Sequence, residues 1–489
     1  MFPKILSVSR IINSTIGGAC LIFLAYSPGV FKESFWSDDY GALTDSSSFV
    51  AHVLKDGRPV SAGLFSVSFS LLDSPTNAWI LRSLALITLM LIFFFISNLI
   101  KNSRHKNISI FSMAVAFCLP SFQMYIHWSL TWFFLWATLA GLYAFHFWSS
   151  NLKARKILAV FLLAVALAIY PPTALFYFSV ITIVNAVNEN KSSKFLSDTL
   201  NALILLVISG TVSVLSILMT MKFMGISANP RVSVVSISEI PEKILWLITR
   251  PLVVGMRPFM IDSPTPKIAF ITSIPLILII VLGIRRQSID LGEPIIRRAI
   301  YLLFPLLLTL IPIAITSDNQ FEFRIVPGYC WGMATLASYF LLVAIRNWLS
   351  RLNINSKFKA FLFFNLPIVL IFVSVSSINS HYRDLFESPY KQKNAFLNSE
   401  ITSCLTRGLF ENVLILPPKL PFPSLPRLGV FSMSTDLASS WVPKPNVELL
   451  LSLRNIKASV TYLGIRPADG EVLAASCIID LEDFRKSLI

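Results

Sequence analysis

Two adjacent aspartates near the start of the chain have the chemistry of a proton-accepting pair. Asp38 and Asp39 follow the first apolar segment, and Arg58 comes soon after them in an Asp-Gly-Arg-Pro sequence. Adjacent carboxylates repel each other, so the pKa of one tends to rise and the two can divide the roles of base and orienting group. An arginine fork binds two phosphate oxygens at once. These residues therefore predict a group-transfer reaction in which the base activates a hydroxyl and the arginine binds the phosphate that leaves.

Other segments supply candidates for binding the phosphate and sugar of such a donor. Tyr40 directly follows the aspartates, and Glu322 and Arg324 lie just before a late apolar segment. Tyr170 precedes two prolines that interrupt an apolar stretch, which is the pattern of a hairpin turn. The weaker candidates of the same kind are Arg231, Arg250 and Arg257.

Each candidate residue could also have a purely structural role. The sequence does not decide between the structural and the functional interpretation. Acidic residues in a loop are often only hydrated, or cap a helix. Arg58 could meet lipid phosphates at the membrane surface. Arg324 could form an ion pair with Glu322 instead of binding a substrate.

The composition is that of a polytopic membrane protein. Hydrophobic residues make up 55% of the 489 residues, and charged residues make up 14%, against ~25% in soluble domains. The net charge of +15 comes from basic residues in short loops between apolar segments, which is the positive-inside pattern. Because no basic stripe with interleaved aromatic residues occurs, we expect no nucleic-acid partner. Without a Cys-x-x-Cys or His-x-x-His spacing, we expect no metal or other cofactor.

Apolar segments of about twenty residues predict about eleven transmembrane helices. Two long apolar stretches, divided by Pro120 and by Tyr170, count as two spans each in this prediction. All basic loops then fall on one side, which places the N-terminus in the cytoplasm. The predicted spans lie near residues 9–27, 78–100, 108–126, 128–148, 157–170, 173–188, 200–222, 268–284, 299–316, 327–345 and 360–378.

The chain divides into a transmembrane domain, residues 1–378, and a C-terminal domain, residues 379–489. The first contains the long periplasmic loop 28–77. The tail is richer in proline and polar residues, and its short alternating apolar segments predict a small α+β domain. Cys404 and Cys477 would form a disulfide in an oxidising compartment or remain as two thiols, and the sequence does not decide between these.

Four short features of the chain resemble a known family. They are Asp38-Asp39-Tyr40 after the first span, Gly57-Arg58-Pro59, the Tyr170-Pro171 turn in mid-chain, and Arg324 before a late span. These features are similar to those of the phage-type serotype-converting O-antigen glucosyltransferases, which are polytopic glycosyltransferases of the GT-C type. The resemblance covers most of the membrane domain. No comparable motif occurs in the tail.

The resemblance implies an enzyme of the bacterial inner membrane. Its donor would be undecaprenyl-phosphate-glucose within the membrane lipid, and its acceptor a lipid-linked O-antigen repeat on the periplasmic face. Asp38 or Asp39 would be the catalytic residue, and Arg58 and Arg324 would bind phosphate. Two alternatives remain: a flippase or transporter of lipid-linked sugars, and an O-antigen polymerase or ligase.

A reporter enzyme that is active only outside the cytoplasm tests the predicted topology. A fusion after Ile489 should be active, and a fusion in the basic loop after Lys156 should be inactive, because positively charged loops stay in the cytoplasm. Inactivity of the fusion after Ile489, with normal membrane insertion, would contradict the predicted orientation.

Overall fold

The computed structural model describes most of the chain. The described residues are 15–35, 39–40, 46–72, 74–100, 103, 105–227, 233–257, 266–319, 323–352, 356–408, 411–422, 437, 442–463, 466 and 477–488, with the backbone alone at 266, 323 and 356–368. Asp38, Glu322 and Arg231 lie outside the described residues.

The described chain is mostly helical up to residue 408. The helices of the first half are α1 (Thr15–Val30), α2 (Ser46–Lys55), α3 (Pro59–Leu71), α4 (Ala78–Leu99), α5 (Lys106–Phe117), α6 (Pro120–His127), α7 (Phe134–Trp148), α8 (Lys153–Ile169), α9 (Pro171–Ala174), α10 (Tyr177–Val187) and α11 (Ser192–Met224). Helix α11 ends where Gly225 adopts φ +65, the left-handed conformation common after a helix.

The second half continues the helical domain and adds a small sheet. Its elements are α12 (Ile240–Leu247), α13 (Val253–Gly255), α14 (Pro266–Leu291), α15 (Ile295–Leu308), α16 (Ile311–Ile315), α17 (Pro327–Arg351), α18 (Ser356–Tyr382), α19 (Ser388–Arg407), β1 (Asn412–Leu416), α20 (Pro443–Leu453), β2 (Ser459–Tyr462), β3 (Cys477–Asp480) and α21 (Leu481–Ser487). The 3₁₀ turns are Pro75–Asn77, Ser129–Thr131, Ile237–Glu239 and Phe323–Ile325, and the π-helical turns are Ile248–Leu252 and Arg383–Glu387.

Within the described residues, five helices are long and apolar enough to cross a membrane, or six if α5 and α6 form one bent span. The chain is therefore a membrane protein of mainly α-helical structure. Shorter apolar helices occupy other predicted spans, among them Thr15–Val30 and Pro171–Val187. The number of eleven crossings stays a prediction.

Hydrogen bonds join the described loops into two groups. One group, the basic end, comprises residues 103, 105–106, 187–194 and 285–298. The other, the loop end, comprises residues 31–35, 39–40, 124–134, 233–257, 316–319 and 323–325. Bonds at the basic end are Ser103 Oγ to Val187 O (2.9 Å) and Arg298 Nη1 to Asn190 O (2.6 Å), and one at the loop end is Lys243 Nζ to Asp318 O (2.6 Å). Each group contains only loops that the charge pattern assigns to the same side.

The apolar stretch between residues 106 and 148 reverses near the boundary of the predicted spans 108–126 and 128–148, and not at Pro120, where the sequence predicts the division. Pro120 does not form a hairpin; it begins α6, which continues after α5 with a bend of 59°. The chain reverses later, at Trp128–Phe133, where a single 3₁₀ turn precedes α7. Helix α5 ends at Phe117, and Leu119 adopts an extended conformation before α6 begins. Proline suits the first turn of a helix, where its missing N–H costs nothing, so Pro120 begins a second short helix after the break.

The tail domain contains helices and strands, as predicted, but its sheet is parallel. The strand order is β2-β1-β3, and β1 pairs in parallel with both neighbours. Parallel neighbours need crossover connections such as α20 between β1 and β2, so the domain is α/β and not α+β. The boundary predicted at residue 378 falls inside α18, and helical turns continue as far as Arg407.

Cys404 and Cys477 form a disulfide that ties α19 to β3. Free thiols are described at Cys20, Cys118 and Cys330. The two cysteines are 73 residues apart in sequence. A crosslink over that distance lowers the entropy of the unfolded chain and so stabilises the folded protein by about 4 kcal/mol.

The disulfide predicts a thiol count. Denatured protein from oxidising conditions should take up alkylating reagent at three cysteines without reductant and at all five after reduction. Cys404→Ala should release the Cys477 thiol and destabilise the tail, whereas Cys20→Ala should do neither. Five reactive thiols without reductant would contradict the bridge.

Candidate functional site

Asp39 lies inside the protein, not on the surface of the first loop. Its side chain is fully buried, and its Oδ1 accepts a hydrogen bond from the Leu130 backbone N–H at 3.3 Å. The guanidinium of Arg82 interacts electrostatically with it. A carboxylate in such surroundings stays ionised only with donors and cations close by, and both are present.

Arg82, in the second turn of α4, holds the segment that leads to Asp39. Its Nη1 donates to Lys32 O at 2.7 Å, and its Nη2 donates to Ser34 O and, at 2.9 Å, to Ser34 Oγ. The Arg82 side chain is fully buried. Arg82 is not among the site residues that the sequence predicts, since a lone arginine beside an apolar helix gives no hint of which loop it contacts.

Arg58 and Tyr170, which are far apart in the chain, come together. The Arg58 guanidinium lies 6.0 Å from the centre of the Tyr170 ring, and its Nη2 forms an ion pair with Asp56 Oδ2 at 2.7 Å. Gly57, at φ +70, permits the tight turn between the paired residues. Tyr170 in turn stacks on Phe134, with ring centres 4.1 Å apart and planes 7° from parallel.

Arg324 reaches the same part of the structure from the late loop. Its guanidinium lies 4.8 Å from the centre of the Trp128 ring, and its backbone oxygen accepts a hydrogen bond from the Tyr125 hydroxyl. The arrangement is a cation–π contact. When the arginine is partly desolvated, such a contact stabilises the folded protein by roughly 1–2 kcal/mol. The predicted ion pair with Glu322 lies outside the described residues.

Residues 124–134, which we name the buried bend, connect these separate groups. Asp39 bonds to Leu130, Arg324 lies over Trp128, and Tyr170 stacks on Phe134. Every residue of this segment is buried. The buried bend thus places the acidic residue, one arginine and the tyrosine around a single short segment, with Arg58 beyond Tyr170.

Side-chain hydrogen bonds fix the shape of the buried bend. Thr131 Oγ1 bonds to Met124 O at 3.1 Å and to Trp128 O at 2.8 Å, which closes the turn on itself. Two bonds then anchor it to its neighbours: Thr173 Oγ1 to Phe134 O at 2.9 Å, and Trp132 Nε1 to Ser68 Oγ at 2.9 Å. Non-helical backbone that is buried in the protein needs such partners, since no water is there to bond its polar groups.

Three consecutive side chains of the buried bend carry polar atoms without a hydrogen-bond partner in the described structure. They are both ring nitrogens of His127, Trp128 Nε1 and Ser129 Oγ, all buried. Most buried polar atoms in proteins have a partner, and exceptions usually have a functional reason. These atoms are suited to hydrogen-bond the hydroxyl groups of a ligand. In the sequence they are visible only as an aromatic, polar turn.

The tail helices close one side of the site. Tyr40 is fully buried, and the Lys393 ammonium of α19 lies 4.1 Å from the centre of its ring. Ser34 Oγ is 3.1 Å from the Tyr382 hydroxyl, and Lys32 Nζ is 2.6 Å from Glu387 Oε2. The C-terminal part of the chain therefore contacts the loop that carries the aspartates.

The tail domain also has a cleft of about 660 Å³, far in sequence from these residues. Glu411, Glu448 and Lys457 are among its lining residues, and it lies at the start of β1 and β2. Ligands of parallel sheets bind at the opposite, carboxyl ends of the strands, so we do not assign the chemistry to this cleft.

The function of the residues around the buried bend is not indicated by a metal centre in the described residues or by a similar protein. In the described part of the chain, no three His, Cys, Asp or Glu side chains come close enough to hold a metal ion. No protein-family model and no curated protein sequence matches the chain. The functional assignment therefore depends on geometry and on the resemblance of short motifs.

The contact between Lys32 and Glu387 predicts a pH effect. Hydrogen bonds from Lys32 and Lys391 lower the pKa of Glu387 from its usual 4.5, so its ionised form favours the docked tail. That contribution is complete above the unfolded pKa of about 4.5 and is lost as the pH falls through the lowered folded pKa.

Glu387→Gln should therefore lower the melting temperature at pH 7, and its difference from the wild type should shrink below about pH 4. Asp483→Asn, which removes an exposed carboxylate 3.6 Å from Lys486, should have little effect at either pH. A Glu387→Gln difference that stays constant from pH 7 to pH 3 would contradict the assignment.

Proposed function

We propose that the chain is a membrane glucosyltransferase that moves a glucosyl group from undecaprenyl-phosphate-glucose to a lipid-linked O-antigen sugar on the periplasmic face. The observation that carries this proposal is the buried bend, since it brings together residues that the resemblance assigns to catalysis and to donor binding. Asp39 bonds to Leu130, Arg324 lies over Trp128, and Tyr170 stacks on Phe134.

The position of this cluster suits a lipid-linked donor. The proposed topology has eleven spans and a cytoplasmic N-terminus, which puts the loop end at the outer surface of the inner membrane. A polyprenyl donor holds its phosphate at headgroup depth there, beside Arg58 and Arg324. The grouping of the loops supports this topology, and so does the disulfide between Cys404 and Cys477, because disulfides persist in the oxidising periplasm.

In the proposed reaction, a hydroxyl oxygen of the acceptor attacks the anomeric carbon of the donor. The new carbon–oxygen bond forms as the bond to the phosphate oxygen breaks, and that oxygen keeps the bonding electrons. A carboxylate of the Asp38–Asp39 pair takes the hydroxyl proton. Lipid monophosphate leaves as the second product, and the direct attack inverts the anomeric centre.

The remaining residues have roles that follow from their chemistry. Arg58 uses one N–H group for Asp56 and has others to offer a phosphate. Arg324 supplies a second positive charge, and developing negative charge on the leaving group is stabilised most in a site that excludes water. Trp128 Nε1 and Ser129 Oγ bind sugar hydroxyls, which would satisfy their hydrogen-bonding groups.

Asparagine substitution at the aspartates tests the assignment in a defined assay. Purified protein is incubated with undecaprenyl-phosphate-glucose and a lipid-linked acceptor, and release of lipid monophosphate is measured. Asp39→Asn keeps an oxygen that accepts from the Leu130 N–H but removes the base, so kcat should fall about 10²- to 10⁴-fold. Asp38→Asn should behave in the same way if Asp38 is the base.

The matched control is Asp290→Asn, which alters an exposed aspartate paired with Arg286 at the basic end and should leave the rate unchanged. Full activity in Asp38→Asn, Asp39→Asn and the double variant would reject the catalytic role. Movement of the donor across vesicles without release of lipid monophosphate would instead indicate a flippase.

A further inference from the structure

Lys393 of α19 is a lysine without solvent exposure. Its exposed fraction is 0%, and its ammonium lies 4.1 Å from the centre of the Tyr40 ring and 5.6 Å from that of Tyr390. Lysine is almost never fully buried unless other groups compensate its charge. Two aromatic faces are such groups, because the negative face of an aromatic ring attracts a cation and does so more strongly where water is excluded.

A neighbouring lysine shows that this burial is specific. Lys391, two residues earlier on the same helix, is 69% exposed and pairs with Glu387 at 2.8 Å. Lys391 thus has the ordinary setting of a surface lysine, in which the charge remains hydrated. Lys393 points into the protein instead, toward the residue that follows Asp39.

Other contacts bring this part of the tail to both sides of Asp39. On the loop side, Ser34 Oγ lies 3.1 Å from the Tyr382 hydroxyl. On the side of the buried bend, the rings of Tyr382 and Phe386 lie 4.7 and 5.6 Å from the His127 ring. The tail therefore contacts the loop before Asp39 and the segment that bonds to Asp39.

We infer that Lys393 is a positioning residue that holds Tyr40, and through it the adjacent Asp39, in the geometry for the proposed transfer. The inference rests on the proposed function and extends it, since it makes the C-terminal domain a working part of the site. Asp39 and Tyr40 are consecutive, so fixing the Tyr40 ring limits the backbone freedom of Asp39. Displacement of a reacting group by 1 Å can cost on the order of 10² in rate.

Lys393→Met tests this role, because methionine retains an apolar chain of similar shape but has no charge. In the transfer assay, kcat should fall on the order of 10²-fold, while the donor KM should change less than about threefold, since Lys393 does not bind donor. Lys391→Met is the matched control and should leave both values unchanged. A raised donor KM with unchanged kcat would overturn the positioning role.

Amide hydrogen exchange gives a readout that does not need activity. In Lys393→Met, exchange at Asp39 and Tyr40 should become at least about tenfold faster at an unchanged melting temperature, and in Lys391→Met it should not. Unchanged exchange at these two amides would overturn the inference. If the wild type released no lipid monophosphate, the proposed function would fail, while the exchange result would still decide the role of Lys393.

A second variant covers the case in which Lys393→Met does not accumulate in membranes. Tyr40→Leu removes the same contact from the other side, so it should also lower kcat and speed exchange at Asp39. In the double variant the loss of kcat should be no larger than in Tyr40→Leu alone, since the contact can be lost only once. Fully additive losses would show that Lys393 acts independently of Tyr40 and would reject the inference.

Discussion

A carboxylate can be buried among apolar helices only where donors and cations compensate its charge, and the arrangement around Asp39 meets that condition. The Leu130 N–H donates to Asp39, and the Arg82 guanidinium lies within electrostatic reach. Leu130 can offer its N–H because it lies at the start of the 3₁₀ turn Ser129–Thr131, where backbone N–H groups have no partner within the turn. Arg82 also fixes the preceding loop through Lys32 and Ser34. Without these two partners, Asp39 would have to turn outward or bind a proton.

The buried bend exists because the sequence interrupts a long apolar stretch twice. The helical chain breaks before Pro120 and changes direction by 59°. The Trp128–Phe133 turn then reverses the chain and is stabilised by the hydroxyl of Thr131. Such backbone is tolerated at membrane depth only inside protein or beside an aqueous cavity. The protein thereby obtains a polar segment within an apolar domain, and the proposed function uses that segment to bind the sugar.

Local patterns were enough to predict the helical membrane class, the mixed structure of the tail, and Arg58 and Tyr170 as residues of interest. They were insufficient for Arg82, Trp128 and Lys393, because each of these gains its meaning from a partner far away in the chain. Proline at residue 120 suggested a hairpin, but proline also fits the first turn of a new helix. The short alternating strands did not reveal their parallel order, which depends on crossover connections.

An experimental structure with a non-reactive phosphonate analogue of undecaprenyl-phosphate-glucose would show whether Asp39 and the buried bend form the donor site. We expect the phosphonate within hydrogen-bond distance of Arg58 or Arg324, and the sugar between the aspartates and the Trp128–Ser129 segment. Density for the analogue in the tail cleft beside Glu411 and Glu448, with the surroundings of Asp39 unchanged, would contradict this assignment.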